Sequence, residues 1–576
     1  MQHEFFPVAT PHDDDAVLAD PPRGPYLRVV PLGGCGEIGR NMVVYETNDD
    51  IVVVDAGVQF PEEEMLGVDL VINDISYLLE RKSKVRALLL THAHEDHIGG
   101  VPYFLAQLAL PVYGTDVTLA LLRGKLKEHK LLDRADLHVI EPGEGLRFGG
   151  ISAEFISITH SVSGSCSIAL TTPLGTVIHT GDFKFDQTPI DGRPSDIAAL
   201  ARYGREGVLL LASDSTNAEI PGHTLSERVV GETFNDIFAH CEGRIIVTMF
   251  ASNVPRLQQT VDAAARYDRK ICFVGRSMLN VSGIAIEHGY LSIAQGQLIR
   301  EHEIDDYPPH KLVICTTGSQ GEPTSALVRM AARDHRRVKL VRGDTVILSA
   351  TPIPGNERSV GRTINNLFKL GVDVIYGRRR MAHVSGHGCQ EELLLMLNLT
   401  QPKYFMPVHG EYRMLVQHAR LAQRIGIEPR RIFVTDNGEV VQFTAQGAER
   451  AGRVYGGPVY VDGLGVGDVG EVVLRDRKHL SADGMIVVTV TVDSLDGKVL
   501  AGPDVTTRGF TFGGAGEGDG LMDELRRHAA SIMEGGAAKG LTEWTAIREH
   551  VHKGLSKFIY ERTKRRPMVV PVVMEV

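Results

Sequence analysis

A chain of 576 residues is too long for one ordinary hydrophobic core and should divide into about three or four units. Its 43% hydrophobic and 23% charged residues are the composition of a soluble globular protein, and no apolar run approaches the roughly 20 residues a spanning helix needs. The formal charge of −11 weighs against a nucleic-acid partner, because phosphate contacts need local positive charge, but it does not exclude a basic channel.

The first 25 residues, "MQHEFFPVATPHDDDAVLADPPRGP", lack a basic segment followed by a long apolar one and read as a loosely ordered acidic leader, not a secretory signal. From Tyr26 to Gly181 short apolar runs recur between glycine-rich turns, among them "IVVVDAG", "VRALLLTHAH", "EFISITH" and "GTVIHTGDF". Their length and β-branched content predict strands, with helical spacing in "GGVPYFLAQLAL" and "DVTLALLRGKLKEHKLL", hence a layered α/β domain. Near Asp214 a second rhythm begins. The buried-type strands "RIIVTMFAS", "RKICFVG", "HKLVICTTGS" and "DTVILSATP" alternate in part with helical segments such as "NVPRLQQTVDAAARY", the pattern of a parallel α/β unit.

After Gly377 come "MAHVSGHG", "PKYFMPVHGEYRML" and "RIFVTDNGEVVQF", where Asn437-Gly438 signals a hairpin. "VDGLGVGDVG" suggests a linker near residue 465, followed by "MIVVTVTV", a long helix from about Asp519 and a last strand whose Pro571 favours a sheet edge. The six cysteines lie far apart with no CxxC pair, which argues against a disulfide framework and a thiolate zinc knuckle and makes a reducing cytoplasm the default.

The stretch "THAHEDH" places His92, His94, Asp96 and His97 within six residues at the end of an apolar run. Each alone could be a solvated turn residue, but together they supply the imidazole and carboxylate donors that zinc or manganese accepts. Partners should lie at other strand ends, and His160 and Asp182 do. Asp182, with two oxygens, is the candidate to bridge two cations, an arrangement that stabilises both the attacking and leaving oxygens of a phosphodiester.

In these residues the sequence resembles the metallo-β-lactamase superfamily, whose HxHxDH signature is "HAHEDH" here. The last metal histidine of that superfamily is matched by His409, which follows Asp182 only after 227 residues. That delay resembles the β-CASP nucleases, in which a second domain is inserted into the lactamase fold. The segments "GGCGEIGRNM", "SDSTNAE", "FASNVPRLQQ", "TTGSQGEP", "IPGNE", "HVSGHG" and "TKRRPMVVPVVMEV" are similar to the bacterial ribonuclease J family over nearly the whole chain.

The resemblance implies an αββα metallo-β-lactamase sandwich carrying an inserted α/β β-CASP domain and a small C-terminal α/β domain. Its expected layout is a leader at 1–25, lactamase parts at 26–219 and 378–450, the β-CASP domain at 220–377, a linker at 451–468 and an oligomerisation domain at 469–576. One metal would be held by His92, His94, His160 and Asp182, the other by Asp96, His97, Asp182 and His409. Zinc is the first choice for both and manganese the alternative. Asp214 matches an acidic motif beside the metals and would orient a histidine, although an N-cap for "STNAE" also fits the residues.

In "HVSGHG", His383, Ser385, Gly386 and His387 would hold a phosphate, with His387 the expected acid for the leaving 3′ oxygen. Gly318, Ser319 and Gln320 would cradle RNA backbone, Phe250 would stack on a base, Asn253 would contact RNA, and Arg378 to Arg380 would line the channel. The alternative for the glycine-rich motifs is a packing turn, and Phe250 could equally be a core residue. The activity implied is 5′-to-3′ exonuclease action preferring a 5′ monophosphate, together with endonuclease action. Products would be 5′ phosphates and 3′ hydroxyls, in messenger RNA decay and ribosomal RNA maturation, by a cytoplasmic homodimer or homotetramer with RNA-decay partner proteins and no membrane. The rival readings are a DNA-directed repair nuclease of the same type, a small-molecule metallo-hydrolase and an inactive RNA-binding scaffold. Glu95, with no proposed ligand role, should tolerate substitution.

Overall fold

The computed structural model describes residues 17–62, 64–353, 355–463, 465–493, 499–511, 518–538 and 544–576, with the side chains of 378, 379, 518, 519, 536–538, 544 and 575 left out. Most of the expected leader therefore lies outside the described residues. By contacts the chain divides into two compact units, Met1–Phe60 with Leu70–Val459, and Pro61–Asp69 with Tyr460–Val576.

The first unit is built on two facing sheets. An eight-stranded sheet runs, edge to edge, through Gly447–Arg453, Glu439–Thr444, Leu27–Gly33, Met42–Thr47, Ile51–Val54, Val85–Leu89, Val112–Gly114 and Leu137–Val139. The six-stranded sheet opposite has the order Tyr404–Val408, Val208–Asp214, Gly175–His179, Cys166–Thr172, Ile151–Ser157 and Gly145–Phe148. Because side chains alternate across a strand, Val52 and Val54 enter the core between the sheets while Ile51 and Val53 enter a second core under the helices Val101–Gln107 and Asp116–Glu128. Strands buried on both faces must be apolar throughout, which is why "IVVV" shows no polar alternation. Helices Ile197–Glu206, Gln390–Thr400 and Tyr412–Arg424 pack on the six-stranded sheet, completing four layers.

Between Asp214 and Gln390 the chain leaves to form a six-stranded, wholly parallel sheet in the order Leu298–Ile299, Lys270–Val274, Leu312–Thr316, Ile245–Thr248, Thr345–Leu348 and Asp373–Ile375. Helices Arg228–His240, Val254–Arg266 and Arg276–Glu287 share one core with it, and Ala326–Ala331 and Glu357–Lys369 the other. In the second unit Met485–Val492 pairs antiparallel with Val499–Arg508 and parallel with Met568–Glu575. The last strand, with Pro571, is thus at an edge, where a missing N–H is tolerated. Helices Gly518–Ala538 and Trp544–Thr563 contact each other and this sheet.

Two local expectations are corrected. The hairpin is not at Asn437-Gly438: Glu439–Thr444 turns at residues 445 and 446 onto Gly447–Arg453. Gly438, at φ +84°, donates instead to Pro31 O, and Asn437 bonds Cys35 N and the Glu37 carboxylate, so this turn serves the neighbouring loop. The span 451–468, expected as a linker, begins inside the strand Gly447–Arg453 and contains another, Pro458–Asp462.

Candidate metal centre

The donors sit where strands of the first unit end. His92 and His94 follow Val85–Leu89, His160 follows Ile151–Ser157, Asp182 follows Gly175–His179, Asp214 closes Val208–Asp214 and His409 follows Val408. Three of these strands, ending at His179, Asp214 and Val408, are neighbours in parallel register, so their carboxyl ends deliver side chains to one place. His409 holds a left-handed φ of +52° there, a conformation unfavourable for a side chain that neighbouring contacts must maintain.

Among the described residues three overlapping donor groups have their ligand atoms within 4.8 Å of one another: His92, His94, His160 and Asp182; Asp96, His97, Asp182 and His409, these two being the expected sets; and Asp182, Asp214, His387 and His409 at the open side. Asp182 is shared and its oxygens are divided. Oδ2 lies 3.5 Å from His92 Nε2 and 3.6 Å from His160 Nε2, while Oδ1 lies 3.3 Å from His97 Nε2. Oδ1 is buried with no hydrogen-bond partner, a costly state for a carboxylate oxygen unless a cation faces it.

The far side of each ring is tied to the protein, which fixes the nitrogen that faces the cluster. His160 Nδ1 donates to Gly386 O at 2.8 Å, His97 Nδ1 to Asp55 Oδ2 at 2.7 Å, and His92 Nδ1 to Thr91 Oγ1 at 3.0 Å, with that hydroxyl donating to Asp55 in turn. The Nε2 lone pairs of His92 and His160 are therefore left for a metal, while that of His97 also faces Asn41 Nδ2. His94 is reversed: its Nδ1 lies 3.1 Å from both His92 Nε2 and His160 Nε2. Three imidazole nitrogens facing one another without shared protons, beside a carboxylate, form a set suited to a divalent ion. Burial holds His92 and His160 well below the usual histidine range and brings His94 to about 4, so these rings are neutral, as ligands must be.

Asp214 and His387 stand at the open side. Asp214 Oδ2 accepts from His387 Nδ1 at 2.8 Å and Oδ1 from His409 Nδ1 at 3.2 Å, while Thr216 donates to Oδ1 from both its main chain and its hydroxyl. The carboxylate thus shapes the local turn and orients two histidines. His387 Nε2 is 4.0 Å from Asp182 Oδ2, and this side chain is 20% exposed where Asp182 is 2%. Burial disfavours its charged form, but Asp214 and Asp182 outweigh that and raise its pKa.

Gly386 has a second role beyond its main chain. A Cβ there would lie 2.6 Å from His160 Cε1, so the absence of a side chain lets the loop rest on a candidate ligand. His383 does not join the cluster; its Nδ1 is 2.8 Å from Arg256 Nη1.

Other expected RNA contacts are turned inward. Asn253 is buried and caps the helix Val254–Arg266 by accepting from Arg256 N. Gln320 is buried with its amide bonded to Thr351 O and Ile353 N, and Ser319 is buried beside it. Packing of the inserted domain claims these three side chains. Gly318, at φ +110°, sits against Ser325, and Phe250 is half-buried. The Arg378 and Arg379 side chains lie outside the described residues; their backbone forms a short 3-10 turn, Gly377–Arg380.

Sequence reasoning missed Asp55, Thr91, Asn41 and Thr216. Asn41 Nδ2 lies 3.1 Å from His97 Nε2 and from Asp96 O. Asp55 was findable, since it ends the apolar run "IVVVD" just as His160 and Asp182 end theirs.

Four family descriptions match the chain: the metallo-beta-lactamase superfamily over residues 35–276, the ribonuclease J beta-CASP domain over 242–367, a Zn-dependent metallo-hydrolase RNA specificity domain over 371–431, and the ribonuclease J C-terminal domain over 472–576. Similar proteins include ribonuclease J2 of Bacillus subtilis, 43% identical over 96% of this chain and 99% of its own. Ribonuclease J 1 of Streptococcus pyogenes is 45% identical over 95% and 97%. A crystal structure of a protein of unknown function from Enterococcus faecalis shares the fold, with a TM-score of 0.53 at 15% identity, over 72% of this chain and 100% of that one.

Proposed function

The chain belongs to the ribonuclease J family and is a metal-dependent ribonuclease that binds RNA, and from that premise we propose how it cuts and what it cuts. It degrades single-stranded RNA from a 5′ monophosphate in the 5′-to-3′ direction and also cuts internally, leaving 5′ phosphates and 3′ hydroxyls. It serves messenger RNA decay and ribosomal RNA maturation in the cytoplasm. Two divalent ions per subunit take part, zinc in first place and manganese as the alternative.

The division of the two Asp182 oxygens between two donor sets carries this reading, because it makes one buried carboxylate the shared edge of two adjoining sites. His92, His94, His160, Asp96, His97, His409 and the shared Asp182 would hold divalent ions, which when bound would supply Lewis acidity to activate water and neutralise charge on a phosphate. The protein supplies position and protons. Asp214 accepts from His387 Nδ1 and, with Asp182, favours the charged ring, so the imidazolium carries its second proton on Nε2 at the open side, where it can be given to the leaving 3′ oxygen. His383, Ser385 and the Gly386 main chain hold the phosphate, and Phe250 and the Arg378–Arg380 turn border the RNA path.

The same reading takes 26–219 and 378–450 as the lactamase domain, 220–377 as the β-CASP domain and 469–576 as an oligomerisation domain of a dimer or tetramer. Cleavage of RNAs that differ only at the 5′ end tests the mode of action. The monophosphate should be degraded fastest, and equal rates on hydroxyl, monophosphate and triphosphate ends would overturn it.

A further inference from the structure

Besides His387, the loop 383–387 carries two side chains able to donate to an anion, the Ser385 hydroxyl and the His383 ring, but a hydroxyl and an imidazole can each accept as well. Partners from outside the loop decide between the two. Ser385 Oγ accepts from Asn217 Nδ2 at 2.9 Å and from His387 N at 3.1 Å. With both lone pairs taken, its hydrogen is the only function left to offer. The Asn217 amide has one workable orientation, since the same Nδ2 donates to His387 O at 2.9 Å, and a carbonyl can only accept.

His383 is fixed by the same logic. Arg256 Nη1 lies 2.8 Å from its Nδ1, and a guanidinium has five donors, no acceptor and a charge that does not titrate away. Nδ1 must therefore be bare and the ring proton must sit on Nε2. Arg256 is itself immobilised: it is 1% exposed, paired through Nη2 and Nε with both oxygens of Glu227, and bonded to Ser349 O at 2.8 Å and Val384 O at 3.1 Å. Burial and the Arg256 charge also hold the His383 pKa well below the usual range, against a hydrogen bond from the ring to the Ser349 main chain, so the ring stays neutral.

We propose that Asn217 and Arg256 are positioning residues that set the hydrogen-bond polarity of this loop, making the Ser385 hydroxyl an obligate donor selective for a fully ionised phosphate oxygen and holding His383 as a neutral ring protonated on Nε2. This rests on the reading of the loop as the phosphate site. It removes His383 from the candidates for proton donor, because a neutral imidazole held in one tautomer binds an oxyanion without giving up its proton.

The test is calorimetric titration of inorganic phosphate into the full-length, metal-loaded protein, for the wild type, Ser385→Ala, Asn217→Asp and the double variant, with metal content measured for each. The carboxylate that Asn217→Asp introduces would accept the Ser385 hydrogen and turn the hydroxyl's lone pairs outward. Ser385→Ala should weaken phosphate binding by about tenfold in the wild-type background, as loss of one charge-assisted bond does, and by less than about twofold beside Asn217→Asp. The same factor in both backgrounds overturns the proposal for Asn217.

For Arg256, whose removal would strand Glu227, the wild-type fold is kept and ring-labelled histidine is observed by nitrogen NMR, with His383→Asn assigning the signal. A bare Nδ1 and protonated Nε2 through the neutral range are expected, and an imidazolium or Nδ1–H form overturns the proposal for Arg256. The phosphate and tautomer readouts do not depend on turnover. Protein that shows both yet leaves RNA intact would refute the ribonuclease reading alone, and RNA cleavage without the Ser385 coupling would refute this one alone.

Discussion

Replacing Asp55 with asparagine should weaken the metal site that His97 serves more than the one that His92 serves. Asp55 is 1% exposed and makes three bonds: to Thr91 N at 2.8 Å, Thr91 Oγ1 at 2.7 Å and His97 Nδ1 at 2.7 Å. An asparagine has one oxygen, and the Thr91 N–H claims it, which leaves the amide N–H2 facing His97 Nδ1. A ring nitrogen facing a donor must be bare, so the proton moves to Nε2, the atom 3.3 Å from Asp182 Oδ1 and needed for the metal. Loss of such a carboxylate support typically lowers metal affinity 10- to 100-fold, about 1.4–2.8 kcal/mol, and inversion of the tautomer places this case near the upper end. Competition against a chromophoric chelator, resolved into two binding steps, reads both sites. One step should weaken by about 100-fold and the other, which Asp55 reaches only through the Thr91 hydroxyl beside His92, by clearly less. Wild-type affinity at both sites, or loss of the ion held by His92, His94 and His160 in preference, would refute the reasoning.

Gly386→Ala should disturb the other site, because a methyl group 2.6 Å from His160 Cε1 displaces that ring; metal analysis should show less than the wild-type content, and full occupancy would contradict the packing. In metal-free protein, burial opposes the charged form of His409, but Asp182, Asp214 and Asp96 prevail and raise its pKa to about 10. A folded pKa raised above the unfolded value of about 6.5 stabilises fully below that pH and loses the contribution as pH rises through 10. The denaturation midpoint of stripped protein should thus fall through this window, and binding of metal at neutral pH should release protons measurable from the buffer dependence of the heat. Glu95→Gln should leave cleavage within about twofold, since the half-exposed carboxylate pairs with Lys125 on the surface, a contact worth at most about 1 kcal/mol; a large loss in kcat would give Glu95 a role the geometry does not.

The candidate donors that the fold brings together were legible because four of them are local in sequence and the others end apolar runs, a pattern that survives without knowledge of how the strands pair. What supports them was not, because it depends on pairing. Asp55 reaches His97 only because Ile51–Val54 lies beside Val85–Leu89, and Thr216 reaches His409 only because Val208–Asp214 lies beside Tyr404–Val408. The layered fold followed from strand and helix periodicity, yet Asn437-Gly438 misled, since the same dipeptide that favours a tight turn between paired strands also serves any loop needing a left-handed residue. Asn253 and Gln320 looked like ligand contacts for a similar reason. Their hydrogen-bonding groups are equally suited to capping a helix and latching a loop, and the fold uses them so.

The most direct test sets a 5′-monophosphorylated RNA against the matched DNA, with and without chelator, for the wild type and His94→Ala. The account predicts RNA cleavage by the wild type alone, lost in chelator and in the variant, and little cutting of DNA. RNA cleavage that persists through chelation and through His94→Ala, or DNA cut as fast as RNA, would contradict it.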